Sequence, residues 1–142
     1  MIRNAFPEDL DSIIKLEQTF GEEAFSPRVL KYHINKGHTL ICRENDQTIG
    51  YSIVCFRNNS RIARLYSIAV AEPFRGKGYG RALLKASESF ALTMDCDHMS
   101  LEVAEGNDSA RALYASEGYG SPKRIEGYYT DGSASYRLWR TL

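Results

Sequence analysis

The chain has 142 residues, a length that accommodates one domain around one hydrophobic core. Its 18 basic and 18 acidic residues cancel, so the net charge gives no indication of nucleic acid or a membrane surface as a partner. The three cysteines form no CxxC or metal-ligand pattern, which is typical of a reducing compartment. No apolar run resembles a signal peptide or reaches membrane-spanning length. We therefore expect a cytoplasmic protein with a single domain over residues 1–142.

The N-terminal part is predicted to fold as a strand followed by two helices. The strand covers residues 2–5, and Pro7, with acidic residues after it, begins a helix that ends near Gly21. The Ser26-Pro27 pair begins a second helix, and Gly37 is placed to end it. Three β-rich runs follow at residues 39–43, 48–56 and 61–70. Because short polar turns separate these runs, they predict an antiparallel meander.

The second half of the chain contains a helix, a strand, another helix and two closing strands. A helical apolar stripe over residues 80–94 precedes a strand at 98–104, and this order usually gives a right-handed crossover between parallel strands. Asn107 is placed to cap the next helix, and Gly118 to end it. Strands at 119–124 and 133–142 complete the sheet. The order predicts an α/β domain of the α+β kind.

A glycine-rich basic turn lies between the third β-rich run and the long helix. It has the sequence Arg75-Gly76-Lys77-Gly78-Tyr79-Gly80-Arg81 and follows the strand residues Ile68-Ala69-Val70. Alternate glycines allow close backbone approach and positive φ, while the first helical N–H groups and the helix dipole favour an anion. The turn does not match a Walker A loop, because Ala82 stands where that motif has Ser or Thr, nor does it match a dinucleotide-binding fingerprint. It therefore predicts a phosphate site of another kind, with an ordinary solvated turn of glycines and basic residues as the equal alternative.

A second motif lies downstream of the glycine-rich turn and helps to interpret the predicted phosphate site. Its residues are Asn107, Ala110, Leu113, Tyr114, Gly118 and Tyr119. They match an Asn-x-x-Ala-x-x-Leu-Tyr-x-x-x-Gly-aromatic block, and the turn at 75–80 matches an Arg/Gln-x-x-Gly-x-Gly/Ala loop. Together the two segments resemble the GNAT family of acetyl-CoA-dependent N-acetyltransferases. The order of elements resembles that of the family over nearly the whole chain.

The resemblance implies a fold and a donor site. The fold is a mixed, mostly antiparallel sheet of six or seven strands with a central parallel pair, flanked by about four helices. The donor is acetyl-CoA, without a metal. Backbone groups of Ile68, Ala69 and Val70 face its acetyl and pantetheine part, and the turn residues 75–81 hold its pyrophosphate. Asn107 contacts coenzyme A from its capping position.

The same resemblance implies that Glu102 is the general base and Tyr114 the general acid. Strand alternation places Glu102 opposite Leu101 and Val103, so it can face a cleft, although a solvated strand glutamate is the common alternative. Tyr114 lies on the apolar face of its helix, where a core tyrosine is the ordinary alternative. A protonated tyrosine can donate to a thiolate whose pKa is about 8.5 by analogy with cysteine. No cysteine lies in a matched motif, so we expect direct transfer to the amine.

Within the family the chain resembles the ribosomal-protein alanine N-acetyltransferase group, which acetylates the α-amino group of a protein. The likeness lies in Ile68-Ala69-Val70, in Leu101-Glu102-Val103 and in Tyr128-Tyr129 before Asp131-Gly132. The chain departs from that group at Ala104-Glu105, where the group has a basic residue, and at residues 133–135, where it has an acidic pair. The resemblance places Tyr128 and Tyr129 at the acceptor, and hairpin surface aromatics are the alternative.

Several alternatives concern the acceptor and the class of function. An α-amino group has a pKa of about 8 and a lysine side chain about 10.4, so a modest base suits a protein N-terminus better. A small-molecule amine such as an amino acid or a polyamine is the alternative acceptor. A coenzyme-A-binding sensor without turnover and an ATP-binding domain are the alternatives from other classes.

The histidines and the oligomeric state complete the sequence-based expectations. His33, His38 and His98 are expected to have structural or solvent-facing roles, and no metal is expected. The sequence gives no indication of the oligomeric state.

Overall fold

The computed structural model describes residues 1–142 and contains seven strands and four α-helices. The strands are β1 Ile2–Asn4, β2 Thr39–Glu44, β3 Gln47–Cys55, β4 Ile62–Val70, β5 His98–Ala104, β6 Gly120–Ile125 and β7 Ser135–Thr141. The α-helices are α1 Leu10–Glu17, α2 Pro27–Asn35, α3 Tyr79–Thr93 and α4 Asp108–Ser116. These elements lie in the order predicted from the sequence.

All seven strands form one sheet in the order β1-β2-β3-β4-β5-β7-β6. Only β4 and β5 are parallel, and the other pairs are antiparallel. Because strand side chains alternate between the two faces, the sheet buries a core on each side. One core packs α1 and α2 against β2 and β3, and the larger one packs α3 and α4 against β4, β5 and β7. The predicted mixed sheet with one central parallel pair is confirmed.

The first helix differs from the prediction of a single helix up to Gly21. Pro7 begins a 3-10 turn, Pro7–Asp9, and α1 is followed by a 3-10 segment, Gln18–Glu23. Gly21 within that segment has φ +59° and ψ −123°, which is not helical. The chain therefore leaves the α-helical path four residues earlier than predicted and turns toward α2.

The parallel pair of strands is short, and this positions the candidate site. Residues 62–65 of β4 pair with residues 98–101 of β5, and no pairing between these strands continues beyond that point. Residues 67–70 of β4 stay paired with β3, while residues 102–104 of β5 stay paired with β7. The sheet therefore opens at its centre, between residues 66–70 and 102–104. Backbone groups on the inner edges of both strands are free to meet a ligand there.

None of the helices has both the length and the apolar character needed to cross a membrane.

Candidate active site

A cavity of about 540 Å³ opens where β4 and β5 separate. Six of the site residues predicted from the sequence line it, namely Ile68, Glu102, Asn107, Tyr114, Tyr128 and Tyr129. Ala69, Val70 and the glycine-rich turn, residues 75–81, are not part of the lining. The structure therefore brings the predicted catalytic and acceptor residues together in one cavity. The predicted pyrophosphate turn lies outside it, at the start of α3.

The glycine-rich turn has the backbone that its sequence predicts. Gly76 and Gly78 have φ of +75° and +93°, and Gly78 is the N-cap of α3. A Cβ atom at either position would meet nothing within 4 Å, so the dihedral angles rather than crowding require glycine. No side chain caps the first turn of α3. Its first N–H groups are thus donors without an intrahelical acceptor, at the positive end of the helix dipole.

Three side chains of this turn are engaged in contacts within the protein, whereas Lys77 is exposed. Arg75 donates from Nε to the carbonyl oxygen of Val70 at 2.9 Å. The Tyr79 hydroxyl donates to Glu44 at 2.8 Å, a bond that raises the pKa of the phenol. Arg81 donates to Glu117 at 2.5 Å and so links α3 to the end of α4. The backbone donors and the exposed side chain of Lys77 are therefore the groups the turn offers to an anion.

Glu102 is held between two arginines in the cavity wall. Its side chain is only 7% exposed. One carboxylate oxygen accepts from Arg137 at 2.7 Å, and the other lies 3.1 Å from Nη2 of Arg64. Sheet register explains both contacts, because Arg137 is the β7 partner of Glu102 and Arg64 pairs with Ser100, two residues away on the same face. Glu102 is therefore a positioned, ion-paired carboxylate rather than a solvated strand glutamate.

Tyr114 lies in the wall formed by α4, 5% exposed and without a hydrogen-bond partner in the protein. Burial, and secondarily the neighbouring Tyr129, raise the pKa of its phenol to about 12. Its ring packs edge-on against Tyr119, whose hydroxyl donates to buried Glu88 at 2.7 Å. The Tyr114 hydroxyl is therefore a neutral donor at neutral pH, in a ring position fixed by packing.

Asn107 combines the capping role with a position in the cavity lining. Its Oδ1 atom accepts from the backbone N–H of Ala110 at 3.2 Å, and the residue is the N-cap of α4. The capping bond uses only the carbonyl oxygen of the side-chain amide. The NH₂ group is the part of Asn107 that can donate to a molecule in the cavity.

Two loops frame the mouth of the cavity and are hydrogen-bonded to each other. Thr130, between β6 and β7, donates to Glu23 from its backbone N–H at 2.6 Å and from its hydroxyl at 2.5 Å. Tyr128 and Tyr129 precede it, and Arg64 donates to the Tyr128 hydroxyl at 3.3 Å. Burial and the Glu102 charge raise the pKa of both phenols. The aromatic pair is thus linked to Glu102 through Arg64.

The comparisons with known proteins agree with this geometry. The family model described as acetyltransferase (GNAT) family matches residues 8–119. The chain belongs to this family. The predicted family, and with it the predicted enzyme class of acetyltransferase, is confirmed.

One relative and two solved structures illustrate the similarity. An N-alpha-acetyltransferase of Saccharolobus solfataricus is 29% identical over 154 residues, which cover 99% of this chain and 92% of the relative. A chain of the NatC complex bound to Gag peptide and CoA has a TM-score of 0.89 at 24% identity, with 100% and 98% coverage. The ribosomal-protein-S18-alanine N-acetyltransferase from Escherichia coli has a TM-score of 0.85 at 24% identity, with 100% and 93% coverage. The likeness to both solved structures concerns the fold.

Sequence reasoning missed the residues that act across elements. Arg64 and Arg137 belong to different strands, and their approach to Glu102 follows from a register that the sequence does not reveal. The contact of Thr130 with Glu23 joins residues 107 positions apart. A predicted pairing of the last strand with residues 98–104 would have been the signal for Arg137. Nothing local indicates the other contacts.

Proposed function

We propose that the protein transfers the acetyl group of acetyl-CoA to the α-amino group of a protein or peptide. The observation that carries the proposal is the single cavity at the divergence of β4 and β5, which holds the ion-paired Glu102 and the neutral Tyr114. The N-alpha-acetyltransferase of S. solfataricus, similar over nearly the whole chain, supports the acceptor class.

The donor is proposed to enter along the edge of β4. The N–H groups at the start of α3 bind the pyrophosphate, and the free edge of β4 at residues 68–70 pairs with the pantetheine amides. Asn107 donates its side-chain amide to coenzyme A. This arrangement brings the thioester to the point where the two strands separate, beside Tyr114.

The acceptor enters from the mouth framed by the two loops. Glu102 attracts the ammonium group and, directly or through a water molecule, accepts one proton before or during attack. The nitrogen lone pair then adds to the thioester carbonyl, and the C–S bond breaks. Tyr114 donates a hydrogen bond to the departing sulfur, and the proton lost by nitrogen completes the thiol. Its pKa of about 12 keeps the phenol neutral throughout.

An α-amine fits this site better than a lysine side chain. At pH 7.5 about a quarter of α-amino groups are neutral, against about one in a thousand lysine amines, if their pKa values are about 8 and about 10.4. The more readily deprotonated amine also makes the smaller demand on the group that accepts its proton. The aromatic pair Tyr128 and Tyr129 offers a surface for the first side chains of a peptide.

The test is mass spectrometry of an acceptor panel incubated with acetyl-CoA. The panel contains peptides with free N-termini, the same peptides with a blocked N-terminus and one free lysine, and free amino acids and polyamines. A gain of one acetyl group on the free N-termini alone supports the proposal. Acetylation confined to the small amines would support the small-molecule alternative, and coenzyme A binding without any product would support the sensor.

A further inference from the structure

Two histidines and a cysteine form a compact cluster behind one wall of the cavity. They are His33 in α2, His38 immediately before β2, and Cys55 at the end of β3. One ligand atom from each lies within 4.8 Å of the others, and His33 Nδ1 is 3.9 Å from Cys55 Sγ. Tyr66, which lines the cavity, packs its ring edge-on against His33 at 5.3 Å.

The backbone brings the two histidines together. The N–H of His38 donates to the carbonyl of His33 at 2.9 Å, and the N–H of Gly37 donates to Ile34 at 3.0 Å. With Gly37 at φ +75°, these two bonds form the Schellman motif that ends α2. His33 and His38 occupy the two positions whose side chains meet across this motif. Their proximity is therefore built by the helix end.

The third member is held in place by the sheet. The N–H of Val54 donates to the carbonyl of His38 at 2.9 Å, so the start of β2 is fixed beside the end of β3. Cys55 is the next residue and lies on the face that carries α2. The cluster is thus positioned by main-chain hydrogen bonds from three elements. Because the backbone is fixed at these positions, it fixes the directions in which the three ligand side chains leave the main chain.

The chemistry of the cluster suits a soft or borderline metal. Nδ1 of His38 is buried and has no hydrogen-bond partner, which leaves a polar atom in the interior unexplained. Burial lowers the pKa of His33 and His38, with smaller contributions from His38 and Lys36 respectively, so both rings are neutral at pH 7. Neutral imidazole is the form that binds metals. No carboxylate takes part in the cluster, which argues against Ca²⁺ or Mg²⁺.

We propose that His33, His38 and Cys55 form a zinc site, with two imidazole nitrogens, one thiolate and a fourth position open to water. In a tetrahedral zinc site, nitrogen and sulfur ligand atoms are separated by about 3.6 Å, from bond lengths of about 2.1 and 2.3 Å. The observed 3.9 Å and the limit of 4.8 Å require small side-chain movements to reach that geometry. The four residues between His33 and His38 also fall within the spacing of histidine pairs in zinc sites. The proposal therefore departs from the expectation that His33 and His38 have structural or solvent-facing roles.

Zinc binding to this site must displace one proton, and this proton release can be measured. A cysteine thiol has an ordinary pKa of about 8.5, so its sulfur is mostly protonated at pH 7 before metal arrives. Zinc takes the sulfur lone pair, the S–H bond breaks, and the proton passes to the buffer. The neutral histidines release none. The charged side chains near the cluster, Lys36 and Arg64, are both cationic, and Arg64 favours the thiolate form.

The test uses the full chain and Co²⁺ as a spectroscopic probe for the zinc site. The expected results are a thiolate-to-cobalt charge-transfer band and tetrahedral d–d bands at one equivalent of Co²⁺, both removed by Zn²⁺. Calorimetry of Zn²⁺ binding in buffers of different ionisation enthalpy should give one proton released per ion. Saturating Zn²⁺ should also raise the Tm.

Variants separate the proposed ligands from the other thiols and imidazoles. Cys55→Ser should abolish the charge-transfer band, and both Cys55→Ser and His38→Gln should weaken zinc binding by more than about tenfold, the loss seen even for outer-shell partners. Cys96→Ala and His98→Gln are the matched controls and should bind as the unaltered protein does. If Cys55→Ser does not fold, the zinc affinity of His38→Gln decides the test, because this substitution leaves the main-chain hydrogen bonds of the Schellman motif intact.

Two results would overturn the proposal. One is folded protein without a cobalt–thiolate band, and the other is a band that is retained in both ligand variants. Neither readout depends on acetyl transfer, so its failure is distinct from that of the proposed function.

Discussion

The proposed donor and acceptor sides of the site are built in different ways. The proposed donor side is a contiguous segment, β4 with the turn that follows it, and uses mainly backbone groups. The proposed acceptor side is assembled from side chains far apart in the chain, such as Glu102 with Arg64 and Arg137, and Thr130 with Glu23. Backbone recognition tolerates sequence change wherever the dihedral angles are kept. Recognition by side chains can be altered by substitution, so the type of acceptor can change while acetyl-CoA remains the donor.

The largest expected effect concerns Glu102. Because Glu102→Gln removes the proposed proton acceptor, kcat should fall by about 10²- to 10⁴-fold while acetyl-CoA affinity is unchanged. Steady-state kinetics on an N-terminal peptide, with calorimetry of acetyl-CoA binding, measures both. Glu105→Gln is the control, since Glu105 forms only a surface pair with Arg124 and should retain full activity. Equal losses in the two variants would contradict the proposed role.

Tyr114→Phe should lower kcat by about 10- to 100-fold, because the departing sulfur loses its hydrogen-bond donor while the ring packing remains. The same proposal predicts the alkaline side of the pH–rate profile. Since the pKa of Tyr114 is raised to about 12, the phenol stays protonated as pH rises, and the rate should not decline from its ionisation below about pH 10. A descending limb near pH 8 that Tyr114→Phe removes would contradict this role.

The raised pKa of Tyr114 also makes the free energy of unfolding depend on pH. The folded state keeps the Tyr114 proton above pH 10, where an unfolded tyrosine loses it, so unfolding becomes easier as pH rises from about 10 to about 12. For this residue the loss amounts to about 2–3 kcal/mol over that range. Denaturant unfolding at pH 9 and pH 11 should therefore differ less in Tyr114→Phe than in the unaltered chain.

The contrast between the two sides also explains what the sequence could predict. The glycine-rich turn carries its conformation in its own residues, so Gly76, Gly78 and the start of α3 were recognisable. Tyr114 lies within the second motif and Glu102 on the strand just before it, so the sequence could nominate both, and the structure places both in the cavity lining. The arginines around Glu102 depend on strand register, and the end of α1 depends on how Gly21 turns the chain. Features that depend on strand pairing and tertiary packing leave no local pattern in the sequence.

On the donor side, Gly78→Ala should weaken acetyl-CoA binding by about 5- to 30-fold, because a left-handed residue with a Cβ costs about 1–2 kcal/mol. The KM for the peptide should not change, since the turn does not line the acceptor cavity. Calorimetry and peptide kinetics at saturating acetyl-CoA separate these effects. Gly106→Ala is the matched control, because Gly106 has no positive φ and nothing within 4 Å of an added Cβ. An equal loss in the control would mean that the dihedral angle of Gly78 is not the cause.

On the acceptor side, Thr130→Val removes the exposed hydroxyl that bonds to Glu23 and Glu22 but leaves the bond from the backbone N–H to Glu23. The loop should stay near its position with less restraint, so the peptide KM should rise by about two- to fivefold, as expected for about 0.5–1 kcal/mol. The dissociation constant of acetyl-CoA should be unchanged. Thr93→Val is the control, since the Thr93 hydroxyl bonds only to Phe90 at the end of α3. If Thr130→Val instead weakened acetyl-CoA binding as much as peptide binding, the two sides of the cavity would not be independent, and the division between backbone and side-chain recognition would have to be abandoned.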